Sequence, residues 1–161
     1  MSHKSLGVFL ATLLISTAAL TAQVRTTKPN DFTIELGGRC WIYSLGYQRA
    51  IGSNFALDAA ISYFGAGSSG ESAGVFFLAG GARYYMLKKD TSPYLSAGIG
   101  WASAATSSGP FDESGSSIYF YVSPGFEYRA SGGFVFRGGV YLIVIKKSFW
   151  IWPGLTFGIA Y

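Results

Sequence analysis

Three carboxylates and two guanidinium groups interrupt otherwise apolar or small-residue stretches of this chain: Glu35, Asp58, Arg83, Glu127 and Arg137. They fall in five different segments. Brought together, they could pair through charge-assisted hydrogen bonds, line a polar conduit, or hold a polar solute. Proton-transfer catalysis is a poorer fit. Hydrolase or acyl-transfer chemistry at serine generally needs a histidine base, and the sole histidine is His3. The serine- and glycine-rich stretches 65–73 and 106–117 offer only Glu71, Asp112 and Glu113 beside their hydroxyls, and a bare carboxylate activates serine poorly. Asp112-Glu113 lacks the further oxygen ligands of a calcium motif. Cys40, the only cysteine, has no partner at metal-ligand spacing and reads as a small strand residue. Gly80-Gly81 has no helix beside it to cradle phosphate. The expectation is therefore no catalytic residue, no metal and no cofactor.

The elements that would carry the five charges read as strands. Half of the 161 residues are hydrophobic, only 12% are charged, 17% are aromatic, and there are 22 glycines, a mixture that favours strands over helices. Beyond the first 22 residues no unbroken apolar run approaches the ~20 residues of a spanning helix. Val140 to Ile145 comes nearest and is cut by Lys146-Lys147. A greasy chain without spanning helices has one membrane solution, the closed barrel. The net charge of +4 is scattered in ones and twos, so nothing points to nucleic acid. One cysteine excludes an internal disulfide framework.

Both ends give an address. Met1 to Lys4 is short and basic, Leu6 to Leu20 is mostly apolar, and Thr21-Ala22-Gln23 offers small residues with a polar exit. That three-part build is a secretory signal peptide, residues 1–22, removed after Ala22 or after Ala19. The alternative, an N-terminal membrane anchor, suffers from the short apolar stretch. Residues 23–161 then form one domain. At the other end Leu155, Phe157, Ile159 and Tyr161 alternate with small residues, giving one greasy face and one small, neutral face.

Turn chemistry at 51–54, 65–72, 88–92, 106–117, 130–133 and 146–148 leaves seven segments, near 32–50, 55–64, 74–87, 93–105, 118–129, 134–145 and 149–161. The first contains a parity flip. Phe32, Ile34 and Leu36 are apolar on even positions, whereas Trp41, Tyr43, Leu45 and Tyr47 are apolar on odd ones. Such a flip needs a bulge or a turn, and Gly37-Gly38-Arg39 supplies it. A turn gives strands at 31–37 and 40–50 and an even count of eight. A bulge leaves seven and an open edge, which lipid does not tolerate. The predicted fold is an all-β, antiparallel up-and-down transmembrane barrel of eight strands. Stretches 65–73 and 106–117 are predicted as the long outer loops, and the turns near 51–54, 88–92 and 130–133 as short periplasmic ones.

Parity sends Glu35, Asp58, Arg83, Glu127 and Arg137 to the lumen, where three acids and two arginines should pair; a midplane arginine facing lipid would cost ~2–4 kcal/mol. A plug of structural ion pairs is the simpler reading and a conduit or binding site the other, since eight strands leave little lumen beyond the side chains. Inward glycines would accommodate Tyr141, Trp150 and Trp152. Trp41, Tyr43, Tyr47, Tyr63, Tyr84, Tyr85, Trp101, Tyr128 and Tyr161 would form interfacial girdles. A soluble sandwich with these aromatics as core would need polar outer faces that the strands lack.

Several motifs carry a resemblance. Glu35-Leu36-Gly37-Gly38 followed by Tyr43-Ser44-Leu45-Gly46-Tyr47-Gln48-Arg49, then Phe134-Val135-Phe136-Arg137-Gly138-Gly139, and finally Trp152-Pro153-Gly154-Leu155 resemble small Gram-negative outer-membrane β-barrel proteins of uncharacterised function. The chain departs at Gly46 and Gln48, where that family often has asparagine and glutamate. The resemblance implies a barrel in the bacterial outer membrane, with outer-membrane lipid as its solvent, and no activity to carry over. The closing strand likewise resembles those of outer-membrane barrels, whose terminal aromatic is read by the insertion machinery. Leu155, Phe157, Ile159 and Tyr161 would be that signal. The expected function is a structural outer-membrane barrel with a plugged lumen. The alternatives are binding or passage of a small or hydrophobic solute and, less favoured, a lipid-modifying enzyme. Neither a ligand nor an oligomeric state follows from the sequence.

Overall fold

In the computed structural model, residues 24–68, 71–108 and 111–161 are described, so the expected leader lies outside the described residues. Eight strands form one closed antiparallel barrel in chain order. They are β1 (Asn30–Gly37), β2 (Tyr43–Ile51), β3 (Phe55–Ser68), β4 (Glu71–Tyr85), β5 (Thr91–Ser108), β6 (Phe111–Arg129), β7 (Phe134–Ile145) and β8 (Ser148–Ala160). The seam between β1 and β8 runs from Asp31 opposite Ala160 to Gly37 opposite Gly154. Closure satisfies the ladder on every side, which removes the sandwich alternative. A four-residue helix, α1 (Val24–Thr27), precedes β1. Among the described residues no helix is long and apolar enough to cross a membrane.

The parity flip is a turn. Gly37 and Gly38 both have φ +72°, where a side chain would be strained, and a Cβ on Gly37 would strike the Pro153 carbonyl. The chain then makes a 3-10 turn at Gly38–Cys40, which is buried, so this connection folds into the barrel mouth. Cys40 therefore belongs to this turn and is not a strand residue. Trp41 follows at φ +73°, a left-handed conformation uncommon for a large residue.

In stretches 65–73 and 106–117 the described residues are strand and not loop. β3 pairs with β4 as far as Ser68 opposite Glu71, and β5 with β6 as far as Ser108 opposite Phe111. β5 and β6 have 18 and 19 residues, whereas ~9–11 tilted residues cross a bilayer. The surplus rises as a wall above the low rim made by the β1–β2 and β7–β8 connections. Backbone pairing continues there although the sequence shows no apolar alternation.

Outward positions are as parity predicts: Phe55, Leu57, Ile61, Leu78, Leu95, Ile99, Val122, Phe126 and Val140 are all exposed, as are Leu155, Phe157, Ile159 and Tyr161. A surface this apolar suits lipid and not water. Phe32, Tyr47, Tyr84, Tyr128 and Tyr161 ring the end where the strands start and finish, and Phe32 stacks on Tyr161 across the seam at 5.6 Å. Tyr43, Tyr63 and Trp101 lie toward the other end. Two girdle assignments are corrected. Tyr85 is fully buried in the lumen, because the inward parity of Arg83 carries on to it. Trp41 packs on Trp150 and Trp152 at the mouth, since the inward-folded turn pulls it off the wall.

Candidate functional site: a sealed, charged lumen

The alternation that puts Leu and Ile outside puts all five predicted charges inside, each buried. They do not pair only among themselves. Four further charged residues join them, Arg25, Asp31, Arg39 and Arg129, also buried. Two layers result.

The layer at the end carrying the strand termini is built around Glu127. Its Oε2 accepts from Arg137 Nε at 2.6 Å and from the Tyr85 hydroxyl at 2.6 Å. Its Oε1 accepts from Arg129 Nε at 2.8 Å and from Arg25 Nη2 at 2.8 Å. Arg137 turns its Nη2 to Asp31 Oδ2 at 2.8 Å, and Arg129 reaches the same oxygen. Gln48 donates to Asp31 at 3.2 Å and accepts from Arg83. One-to-one pairing is thus replaced by two guanidinium forks, Arg129 and Arg137, that each bridge Glu127 and Asp31. Crowding explains it: Arg129 and Arg137 each have both Glu127 and Asp31 within reach.

The opposite layer is organised by Arg39. Its Nε donates to Glu35 Oε2 at 3.1 Å and its Nη1 to Asp58. Glu35 also accepts from the Tyr141 hydroxyl and from Ser44 at 3.3 Å. Arg83 links the layers, lying 3.4 Å from Asp58 and over the Tyr94 ring at 4.6 Å.

Both mouths are stopped by side chains that do not come from the wall. At one end Arg25 of α1 enters from below, donates to the Ser53 carbonyl at 2.9 Å, and covers the Tyr85 ring at 3.6 Å. At the other the 3-10 turn lowers Arg39, and Tyr119 holds that turn by donating to the Arg39 carbonyl at 2.8 Å. A buried charge is tolerable only when paired and hydrogen-bonded, which these are.

Glycine makes room for the tyrosines between the layers. A Cβ on Gly100 would collide with the Tyr119 ring, one on Gly98 with Tyr121, one on Gly125 with Tyr94, and one on Gly154 would lie 2.6 Å from Tyr141. Tyr141 was expected to sit this way. Trp150 and Trp152 do not: Trp150 is about half exposed at the outer mouth, and Trp152 donates to the Trp41 carbonyl at 2.7 Å. Both lie on β8 above the level of the inward glycines. A groove of about 870 Å³ lies on the outside of the wall beside Gly46, Ala59 and Gly158, away from the charges. Among the described residues no cluster of His, Cys, Asp and Glu could hold a metal. The side chains of Glu71, Asp112 and Glu113 lie outside the described residues.

Cys40 is fully buried under this plug. A maleimide reagent is expected to leave it unlabelled in the folded barrel and to label it on denaturation. Rapid labelling of the folded protein would mean the plug opens.

Solved structures share this architecture. The N-terminal β-barrel domain of Pseudomonas aeruginosa OprF is similar with a TM-score of 0.61 at 12% identity, over 82% of this chain and 95% of that one. The fold is that of the small outer-membrane barrels. Neisserial surface protein A is similar with a TM-score of 0.50 at 14% identity, over 82% and 93%. The Yersinia pestis outer membrane protein Ail, in a phospholipid bilayer nanodisc, gives a TM-score of 0.50 at 13% identity, over 82% and 98%. No family model matches the chain, and no curated protein does. At these identities the likeness concerns fold.

Proposed function

We propose that this chain is an integral protein of the bacterial outer membrane, a structural barrel with a sealed polar lumen and no catalytic activity. The observation that carries the reading is the double closure: Arg25 stops one mouth and Arg39 the other, each ion-paired to acids of the wall. The apolar exterior supports lipid as the solvent, and the fold supports the membrane. Export by a cleaved leader, and delivery to the insertion machinery by Leu155, Phe157, Ile159 and Tyr161, complete the proposal. The end holding α1 and the strand termini then faces the periplasm.

Planar-bilayer recording tests it. The native protein is expected to show no resolvable conductance, because the lumen is filled by its own side chains. Arg39→Ala removes the outer stop and is expected to introduce brief openings. Steady conductance of the native protein would overturn the structural reading in favour of passage.

A second reading rests on the outer mouth. Trp41, Trp150 and Trp152 cluster there, beside Phe64 and Ile145 and under the tall wall. This aromatic floor suits a small apolar solute. Three of the four tryptophans lie at this mouth, so a saturable change in tryptophan emission on adding such a solute would favour it. A flat titration would leave the structural reading alone.

A further inference from the structure

Arg49 is a cation on the lipid side of the wall, and among the described residues it has no partner. It lies on β2 with the outward parity of Leu45 and Tyr47, is exposed, and enters none of the ion pairs. It stands opposite Asn30 on β1 and Leu57 on β3, at the end carrying the strand termini. The Asn30 side chain is already engaged, accepting from the Tyr47 hydroxyl at 2.8 Å. Tyr161, whose carbonyl oxygen accepts the Asn30 N–H at 3.2 Å, forms no ion pair with Arg49 either. Near the bilayer boundary an outward arginine costs little, because its stem lies along the wall while its head reaches the phosphate level. The guanidinium fork matches a phosphate group.

The outer groove of about 870 Å³ begins one outward step from Arg49. Tyr47, two residues along β2 and so about 7 Å away, lines it beside Phe32. From these two girdle residues the lining runs to Ile34, Leu45 and Ile61, one register row nearer the middle of the barrel. The groove therefore points the way an acyl chain lies, and its volume is within the ~300–1,000 Å³ of small-molecule sites. Its floor is low because Ala59 stands opposite both Tyr47 and Gly80. Gly80 has no internal reason to be small. A Cβ there would meet only the Asp58 carbonyl at 3.8 Å, an ordinary contact, whereas Gly98, Gly100 and Gly125 face tyrosine rings.

Charge selects among lipids. Asp31, Glu35, Asp58, Asp90 and Glu127, the acids whose side chains are described, are all buried, whereas Arg49 and Lys88 are exposed at this end. An ammonium-bearing headgroup meets no exposed carboxylate side chain among them, and an anionic headgroup meets cations. We infer that Arg49 and the groove beside it form a binding site for one anionic glycerophospholipid, with its phosphate on Arg49 and an acyl chain over Ala59. That the lipid comes from the inner leaflet rests on the orientation proposed above; the site itself does not.

Native mass spectrometry of the purified barrel in detergent, titrated with phosphatidylglycerol or phosphatidylcholine, tests the site whatever the orientation. The native protein is expected to retain one phosphatidylglycerol, and to hold phosphatidylcholine more weakly. Arg49→Gln is expected to weaken phosphatidylglycerol about fivefold, equivalent to about 1 kcal/mol, and to abolish the preference. Ala59→Trp fills the groove and should weaken both lipids. Both positions face outward, and the unboiled mobility of each variant reports whether the barrel has folded. Ala59→Leu takes the place of the tryptophan variant if that one does not fold. Unchanged binding by Arg49→Gln, or equal binding of the two lipids by the native protein, would overturn the anionic site. Binding weakened by Arg49→Gln but untouched by filling the groove would overturn the seat of the acyl chain. Either failure leaves the sealed lumen standing, since conductance decides that separately.

Discussion

Glu127→Gln is expected to lower the unfolding free energy by about 3–5 kcal/mol, the cost typical of breaking a buried charge network by removing one partner. Glu127 is the acid on which Arg25, Arg129, Arg137 and the Tyr85 hydroxyl all converge. Glutamine keeps the volume but offers one acceptor oxygen, and its amide hydrogens would face guanidinium groups that also donate. Asp31 alone cannot neutralise what remains. The measurement is the urea midpoint of the folded band, the form of the barrel that migrates differently when unboiled. Arg25→Ala is the internal comparison. It leaves Glu127 with two arginines, so its midpoint should move far less. If Glu127→Gln and native unfold together, the lumen charges are not held as described.

Gly100→Ala is expected to cost about 1–3 kcal/mol, the usual effect of overpacking a filled interior. The added methyl enters the space of the Tyr119 ring, which is fully buried and tied by its hydroxyl to the Arg39 carbonyl. The ring has to tilt, and the tilt releases the connection that stops the outer mouth. The effect should be non-additive. With Tyr119→Leu in place the ring is gone, and Gly100→Ala should then cost little beyond the first change. A double-mutant cycle on unfolding midpoints measures this. Strictly additive costs would show that ring and glycine do not share that space. Gly98 offers no such rescue, because a Cβ there also meets the Gly80 carbonyl.

Strand number was legible because one chemical fact, the exchange of parity across Gly37-Gly38, admits few backbones. Wall residues were legible for the same reason. Period-two alternation is strong wherever lipid faces one side, and it placed Asp58, Arg83, Glu127 and Arg137 correctly. The same alternation already held Asp31 and Arg129, which share parity with Glu35 and Glu127; their places near strand ends hid them. Arg39 and Arg25 carried no such signal. They reach the lumen from a 3-10 turn and a short helix, where neither neighbour nor period says which way a side chain points. The stretches 65–73 and 106–117 misled for the converse reason. Serine with glycine shows no apolar alternation and reads as a turn, although the backbone there is paired.

The seam has a consequence for how the protein is made. Asp31 meets Arg129 and Arg137 across 98 and 106 residues of chain, and Glu35 meets Tyr141 across 106. β1 and β8, first and last along the chain, are also the pair whose ladder closes the sheet. A chain not yet extended to β7 and β8 therefore carries Asp31 and Glu35 bare, on a strand whose other face is ready for lipid. Contacts this distant in sequence slow folding, since loop closure has to precede them. Crossing the bilayer and rounding the circle then become a single event. A nascent chain gains no closed ladder by inserting its early hairpins alone, because the seam waits for β8.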